Sequence, residues 1–173
     1  MSRFFERVWR AASLDPQLYE EVEADQGALG QAATVVVLSS LAAGIGLIPV
    51  LGPTSIVVAT IQALLGWGVW ALLTYFIGTR LLPEPQTRAD PGQLLRTIGF
   101  ASSPGLIRVF GLIPLLTPLV MLIAHVWMLV AMVVAVRQAL DYRSTGRAVA
   151  VCLIGFLAQI LLTAFFLRPA TVH

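Results

Sequence analysis

Apolar and charged positions fall into blocks along this chain instead of alternating at the short periods of a soluble fold. Four runs, 32–48, 56–78, 119–136 and 148–167, contain no Asp, Glu, Lys or Arg. Each has about the 17–25 residues that a helix needs to cross a ~30 Å hydrocarbon core. A fifth stretch, 94–116, is also apolar, but Arg96, Arg108 and the sequence Ser102-Ser103-Pro104-Gly105 interrupt it, which predicts a broken helix. If that stretch crosses, charged connections (the N-terminal tail, 80–93, 137–147) alternate with bare ones (49–55, 117–118). Nine of the eleven arginines then share the cytoplasmic side, with only Arg108 and Arg168 nearer the far side. The pattern predicts an all-α polytopic membrane protein. Residues 1–31 form a cytosolic amphipathic region, and 32–168 form a bundle of five transmembrane helices with the C-terminus outside.

One octapeptide occurs almost twice: GLIPVLGP at 46–53 and GLIPLLTP at 111–118, with six of eight positions identical. Proline removes a backbone donor and biases the residue before it toward extended geometry, so both copies predict tight, uncharged hairpin turns at the outer face. Convergence on one turn chemistry accounts for the match at least as well as duplication, because the likeness does not extend beyond the octapeptide.

The tail reads as helical. At 100° per residue Arg3, Arg7 and Arg10 share one face, while Phe4, Phe5, Val8 and Trp9 fill the other. Such a helix suits the inner headgroup layer, with its arginines on anionic lipid phosphates; packing on the protein's own cytoplasmic loops is the alternative. Asp15-Pro16 and Asp90-Pro91 each pair an N-cap with proline at the first helical position, so each predicts a helix start. The tail has no apolar h-region and carries six acids, which argues against a cleaved signal.

Composition agrees with a membrane protein: 58% of residues are hydrophobic, 12% are charged, and the mean hydropathy is +0.86. A soluble fold of this size could not bury that much apolar surface. The net charge of +2 comes without a basic run, which argues against nucleic acid. Cys152 stands alone, so no disulfide or zinc site arises within one chain. No carboxylate lies within a predicted span, and the two histidines lack metal-ligand spacing. No catalytic constellation, metal site or cofactor is expected.

Intramembrane polar residues are nevertheless costly and usually face the bundle interior. Counting about 1.5 Å per residue, Gln62 and His125 lie roughly 9 Å, and Gln159 roughly 12 Å, inside their outer helix ends. Arg108 is near the outer end of its span. These four form a candidate polar cluster in the outer half of the bilayer. The plainer expectation is that Arg108 snorkels outward while the other three bond between helices. Ala131, Ala135 and Ala139 make a small-residue stripe for close helix approach, and Gly66 and Gly68 suggest a similar contact. Trp67, Trp70 and Trp127 are expected to fill the core. The serines of the break are expected to re-satisfy freed carbonyls.

RTIGFASSPGLIRVFGLIPLL (96–116) and VWMLVAMVVAVRQALDYRSTGRAVAVCLIGF (126–156) resemble prokaryotic members of the Yip1 domain family. The likeness covers roughly residues 20–167 and is most specific at GFASSPGLIRV and VAVRQALDYRSTGRA. It implies five membrane helices with a cytosolic N-terminus. Eukaryotic members belong to early secretory membranes and associate with prenylated Rab GTPases. Their longer acidic-aromatic N-terminal motif has no match in residues 1–31, so Rab binding does not carry over. The expected function is therefore a non-catalytic inner-membrane protein that organises membrane or binds a membrane-protein partner or a second copy. Its candidate cytoplasmic contacts are Arg137, Asp141, Arg143 and Arg147. The rival is a small oligomeric transporter, channel or lipid-handling protein using the broken third helix and the polar cluster.

Overall fold

Both Asp-Pro pairs start helices. The Asp15 carboxylate accepts from the Gln17 N–H, and Asp90 forms a reciprocal capping box with Gln93. In the computed structural model, which describes residues 3–166 and side chains as far as residue 161, the helices are α1 (Arg3–Ala12), α2 (Pro16–Ala24), α3 (Ala28–Gly46), α4 (Ile48–Leu51), α5 (Thr54–Phe76), α6 (Pro91–Phe100), α7 (Thr117–Ala139) and α8 (Thr145–Phe166). A π-helical turn, Ile77–Leu81, extends α5, and a 3₁₀ segment, Ser103–Leu112, follows α6. Residue 167, the end of the last expected span, lies outside the described residues, as do Arg168 and His173.

Three helices, Ala28–Gly46, Thr54–Leu81 and Thr117–Ala139, are long and apolar enough to cross a membrane. The described part of α8 is a shorter apolar helix. The stretch 94–116 is two pieces of different pitch: α6 would rise about 15 Å and the 3₁₀ segment about 20 Å. The break lies where expected, but the serines do not repair it. The Ser103 hydroxyl is buried without a partner. The backbone instead re-bonds at shorter range, Ser102 N–H to Gly99 O at 3.1 Å and Gly105 N–H to Ser102 O at 3.0 Å.

This broken segment lies along α3 and runs in the same direction. A Cβ on Gly99 would overlap Ala32, one on Gly105 would overlap Ser39, and one on Gly46 would overlap the carbonyl of Arg108. Gly111 in turn would meet the Gly46 carbonyl at 3.0 Å. The leading glycines of the two octapeptides therefore pack on each other, backbone against backbone. The copies then diverge at their one non-conservative difference. Gly52 takes φ 74° to end α4. At the equivalent position Thr117 begins α7, and its hydroxyl donates to Gly111 O at 2.6 Å.

Two apolar cores result. One joins Leu18, Tyr19 and Val22 of α2 to Val35, Phe100, Ala131 and Ala135. The other gathers Leu94, Ile98, Ala139, Leu140 and Val151 around Cys152. All three alanines of the α7 stripe are fully buried. Gly66 and Gly68 differ from expectation: an added Cβ would meet nothing within 4 Å, so neither marks a close helix contact.

Candidate functional site

All the long apolar elements converge on one cavity of about 450 Å³. Val36, Ser39 and Ser40 line it from α3, Trp67 and Trp70 from α5, and Ile98 from α6. Arg108 enters from the 3₁₀ segment, His125, Met128 and Met132 from α7, and Phe156 and Gln159 from α8. The walls are mostly apolar with a few polar groups, which is the usual make-up of a small-molecule pocket.

The guanidinium of Arg108 does not snorkel outward. Its Nη2 donates to the Ser39 carbonyl at 3.0 Å and the Ser39 hydroxyl at 2.7 Å, and its Nε donates to Gly105 O at 2.9 Å. The Arg108 carbonyl sits against Gly46, so the side chain reaches back from there to Ser39, roughly 10 Å along α3. Gly105 makes this seat, because a Cβ there would overlap the Ser39 hydroxyl and the guanidinium. Among the described residues no carboxylate pairs with Arg108.

Of the four residues in the predicted polar cluster, three line this cavity: Arg108, His125 and Gln159. Gln62 does not. It is exposed and lines a separate hollow of about 260 Å³ with Leu47, Leu51 and Ser55. The expected interhelical bonds are also missing among the described residues. His125 Nδ1 lies 2.6 Å from Met121 O of its own helix, and Gln159 Oε1 is buried without a partner. Trp70 Nε1 is likewise buried and unpartnered. Trp67 and Trp127 each donate to a carbonyl, Leu95 O and Ala12 O. Ser102 lines the cavity, whereas Ser103, Pro104 and Gly105 are buried in the 3₁₀ segment.

At the N-terminus the structure turns the basic face of α1 inward. Arg7, 1% exposed, donates to Glu21 at 2.7 Å and 3.0 Å, to Asp25 at 2.8 Å and to Gln31 at 3.1 Å. Arg10 bridges Asp15 and Glu21, and Arg3 reaches Glu21 only at 3.4 Å. The Arg7 guanidinium, with Arg10 beside it, holds the Glu21 carboxyl below its ordinary range. Four carboxylate and amide partners, on α2, at its two caps and on α3, compete for these arginines locally, so lipid phosphate is not what satisfies two of the three. Phe4 and Val8 pack on the first core, while Phe5 and Trp9 are 62% and 74% exposed. The hairpin α1–α2 reaches alongside α7 as far as Trp127, near that helix's middle.

The four residues expected as cytoplasmic contacts serve mainly to join 82–87 to 137–147. Glu84 accepts from the Arg143 and Ser144 backbone N–H groups and lies 3.5 Å from Arg147 Nε. Those backbone donors hold its carboxyl below the ordinary range. Arg137 donates to Tyr142 O, and Arg147 to Pro83 O. Asp141 adopts φ 53° and accepts from Gln86 through its carbonyl. Sequence reasoning missed the clamp at the centre: the buried Tyr142 hydroxyl bonds Gly78 O at 2.9 Å and Leu82 O at 2.7 Å across the π-turn. Burial pushes that phenol up to about 12. It also missed Ser39, whose signal was a Ser-Ser pair within an apolar run.

No curated protein and no solved structure matches the chain. A family model described as the Yip1 domain matches residues 12–166. That match takes in the cavity, the broken segment and both octapeptides, and it agrees with an all-helical membrane protein. On that ground the chain belongs to the Yip1 domain family.

Proposed function

We propose that this chain is a non-catalytic, five-span protein of the inner membrane that organises the lipid around it through its N-terminal hairpin. The N-terminus is cytoplasmic and the C-terminus lies outside. One observation carries the reading: α1 is locked by its arginines to α2, with its turn against the middle of α7, while Phe5 and Trp9 stay uncovered. An apolar helix face held at that height displaces acyl chains in one leaflet only, and such insertion is sensitive to curvature and lipid composition. Contact is then made by aromatic rings and not by guanidinium–phosphate attraction, so salt has little effect on it. The parallel course of the broken segment beside α3 supports counting it as the third span.

A nitroxide at position 9, carried by Trp9→Cys with Cys152→Ala in reconstituted protein, tests the reading. Collisional relaxation by oxygen is expected to exceed that by a water-soluble nickel chelate. The opposite order places the helix in water and overturns the proposal. Membrane-impermeant labelling at positions 85 and 115, the latter in the exposed turn before α7, is expected to reach opposite sides, and labelling from one side only defeats the five-span count.

A further inference from the structure

The cavity around Arg108 contains a charge that its surroundings do not balance. Its guanidinium is held by one hydroxyl and two carbonyls, with no carboxylate among the described residues. Three of its five donors are used, leaving the two of Nη1 without a hydrogen-bond partner among the described residues. An unpaired cation within a membrane protein is costly, so such residues generally serve a ligand or a relay. Trp70 and Gln159, which also line the cavity, each have one polar atom, Nε1 and Oε1, that is buried and without a partner among the described residues. The cavity therefore offers a ligand the free Nη1 donors of Arg108, set in apolar walls.

We propose that this cavity binds the headgroup of an anionic phospholipid, with its phosphate on Arg108. Guanidinium and phosphate oxygens match in charge and geometry. Among the described residues no carboxylate lines the cavity to receive a choline or ethanolamine ammonium, which favours a headgroup with net negative charge. At about 450 Å³ the cavity is large enough for a headgroup and the first methylenes but not for two acyl chains. The chains leave past the exposed His125 and Phe156, between α7 and α8. A free phosphate would satisfy Arg108 but would leave the walls of Trp67, Met128 and Met132 empty.

The test counts lipids kept by the purified full-length protein. Native mass spectrometry follows release from nanodiscs of phosphatidylcholine containing a minority of phosphatidylglycerol. Wild type is expected to retain one phosphatidylglycerol per chain. Arg108→Met removes the donors and keeps the stem. Gly66→Phe fills the cavity from a position with open space and leaves Arg108 and Ser39 untouched. Each variant is expected to lower the retained occupancy at least about tenfold, the loss of a charge-assisted hydrogen bond or of the space itself. Adding inorganic phosphate should displace nothing. Equal phosphatidylglycerol retention by wild type and either monodisperse variant overturns the proposal. So does preferential retention of phosphatidylcholine, or displacement by inorganic phosphate.

Discussion

Arg7 and Arg108 are both held within the protein, yet their settings are opposite. Arg7 lies on α1 among Glu21, Asp25 and Gln31, with acids close enough to neutralise it. Arg108 lies on the 3₁₀ segment against neutral oxygens of Ser39 and Gly105. Arg96 is intermediate: it donates to the backbone carbonyls of Val22 and Glu23 at the end of α2, where the helix dipole concentrates negative charge. The contrast separates two uses of one side chain. Paired with carboxylates, a guanidinium fixes one segment to another. Held only by neutral acceptors, it keeps its charge available to something that is not part of the chain.

The contrast predicts unequal losses. Arg7→Ala takes the guanidinium away from Asp25 and leaves Glu21 to Arg10 and the more distant Arg3, and removing one partner of a buried pair typically costs 3–5 kcal/mol. Both carboxylates are about one-third exposed, so about 3 kcal/mol is expected in a mixed-micelle unfolding titration. A loss below about 1 kcal/mol would dissolve the distinction between the two sites.

Near Arg96 the effect is smaller and depends on pH. Burial, with Asp141, Glu20 and Asp90 nearby and Arg96 opposing them, pushes the Glu23 carboxyl up to about 7. That is above the ordinary glutamate value of about 4.3, so the folded state holds this proton more tightly than the unfolded chain does. The associated stability is complete below the unfolded value and is lost as pH rises through about 7. Glu23→Gln should therefore flatten the pH dependence of melting between about 4.3 and 7 and stabilise the protein above it, by about 1 kcal/mol after allowing for solvent at a half-buried group. A wild-type melting temperature that does not fall across this window would contradict the assignment.

Arg108→Met is expected to move stability least, within about 1 kcal/mol, since it orphans no carboxylate and leaves a side chain of matching length in an apolar wall. A loss as large as that of Arg7→Ala would mean that Arg108 is a structural strut like Arg7.

Several features were legible from local chemistry. The Asp-Pro starts at 15–16 and 90–91 depend on two adjacent residues, and both appear as read. The buried alanines of α7 follow from a four-residue repeat on one helix. The interruption at Ser102–Gly105 was visible, but its purpose was not: Gly105 is there to admit the Arg108 guanidinium against Ser39, a residue 66 positions earlier. The polar cluster was read from depth alone. Depth brought Arg108, His125 and Gln159 to the same cavity and wrongly included Gln62, because residues at one height can still face opposite sides of a helix.

Block patterning, then, established from sequence alone that this is an all-helical membrane chain, since apolar run length and the need to satisfy backbone polar groups leave little other choice in lipid. It also located the turns, the caps and the break. Only the tertiary structure decided which arginines meet acids, which faces of α1 are covered, and that the two octapeptides touch at Gly46 and Gly111. Those outcomes depend on the rotation and close approach of segments distant in sequence, and residue spacing within one helix carries no information about either.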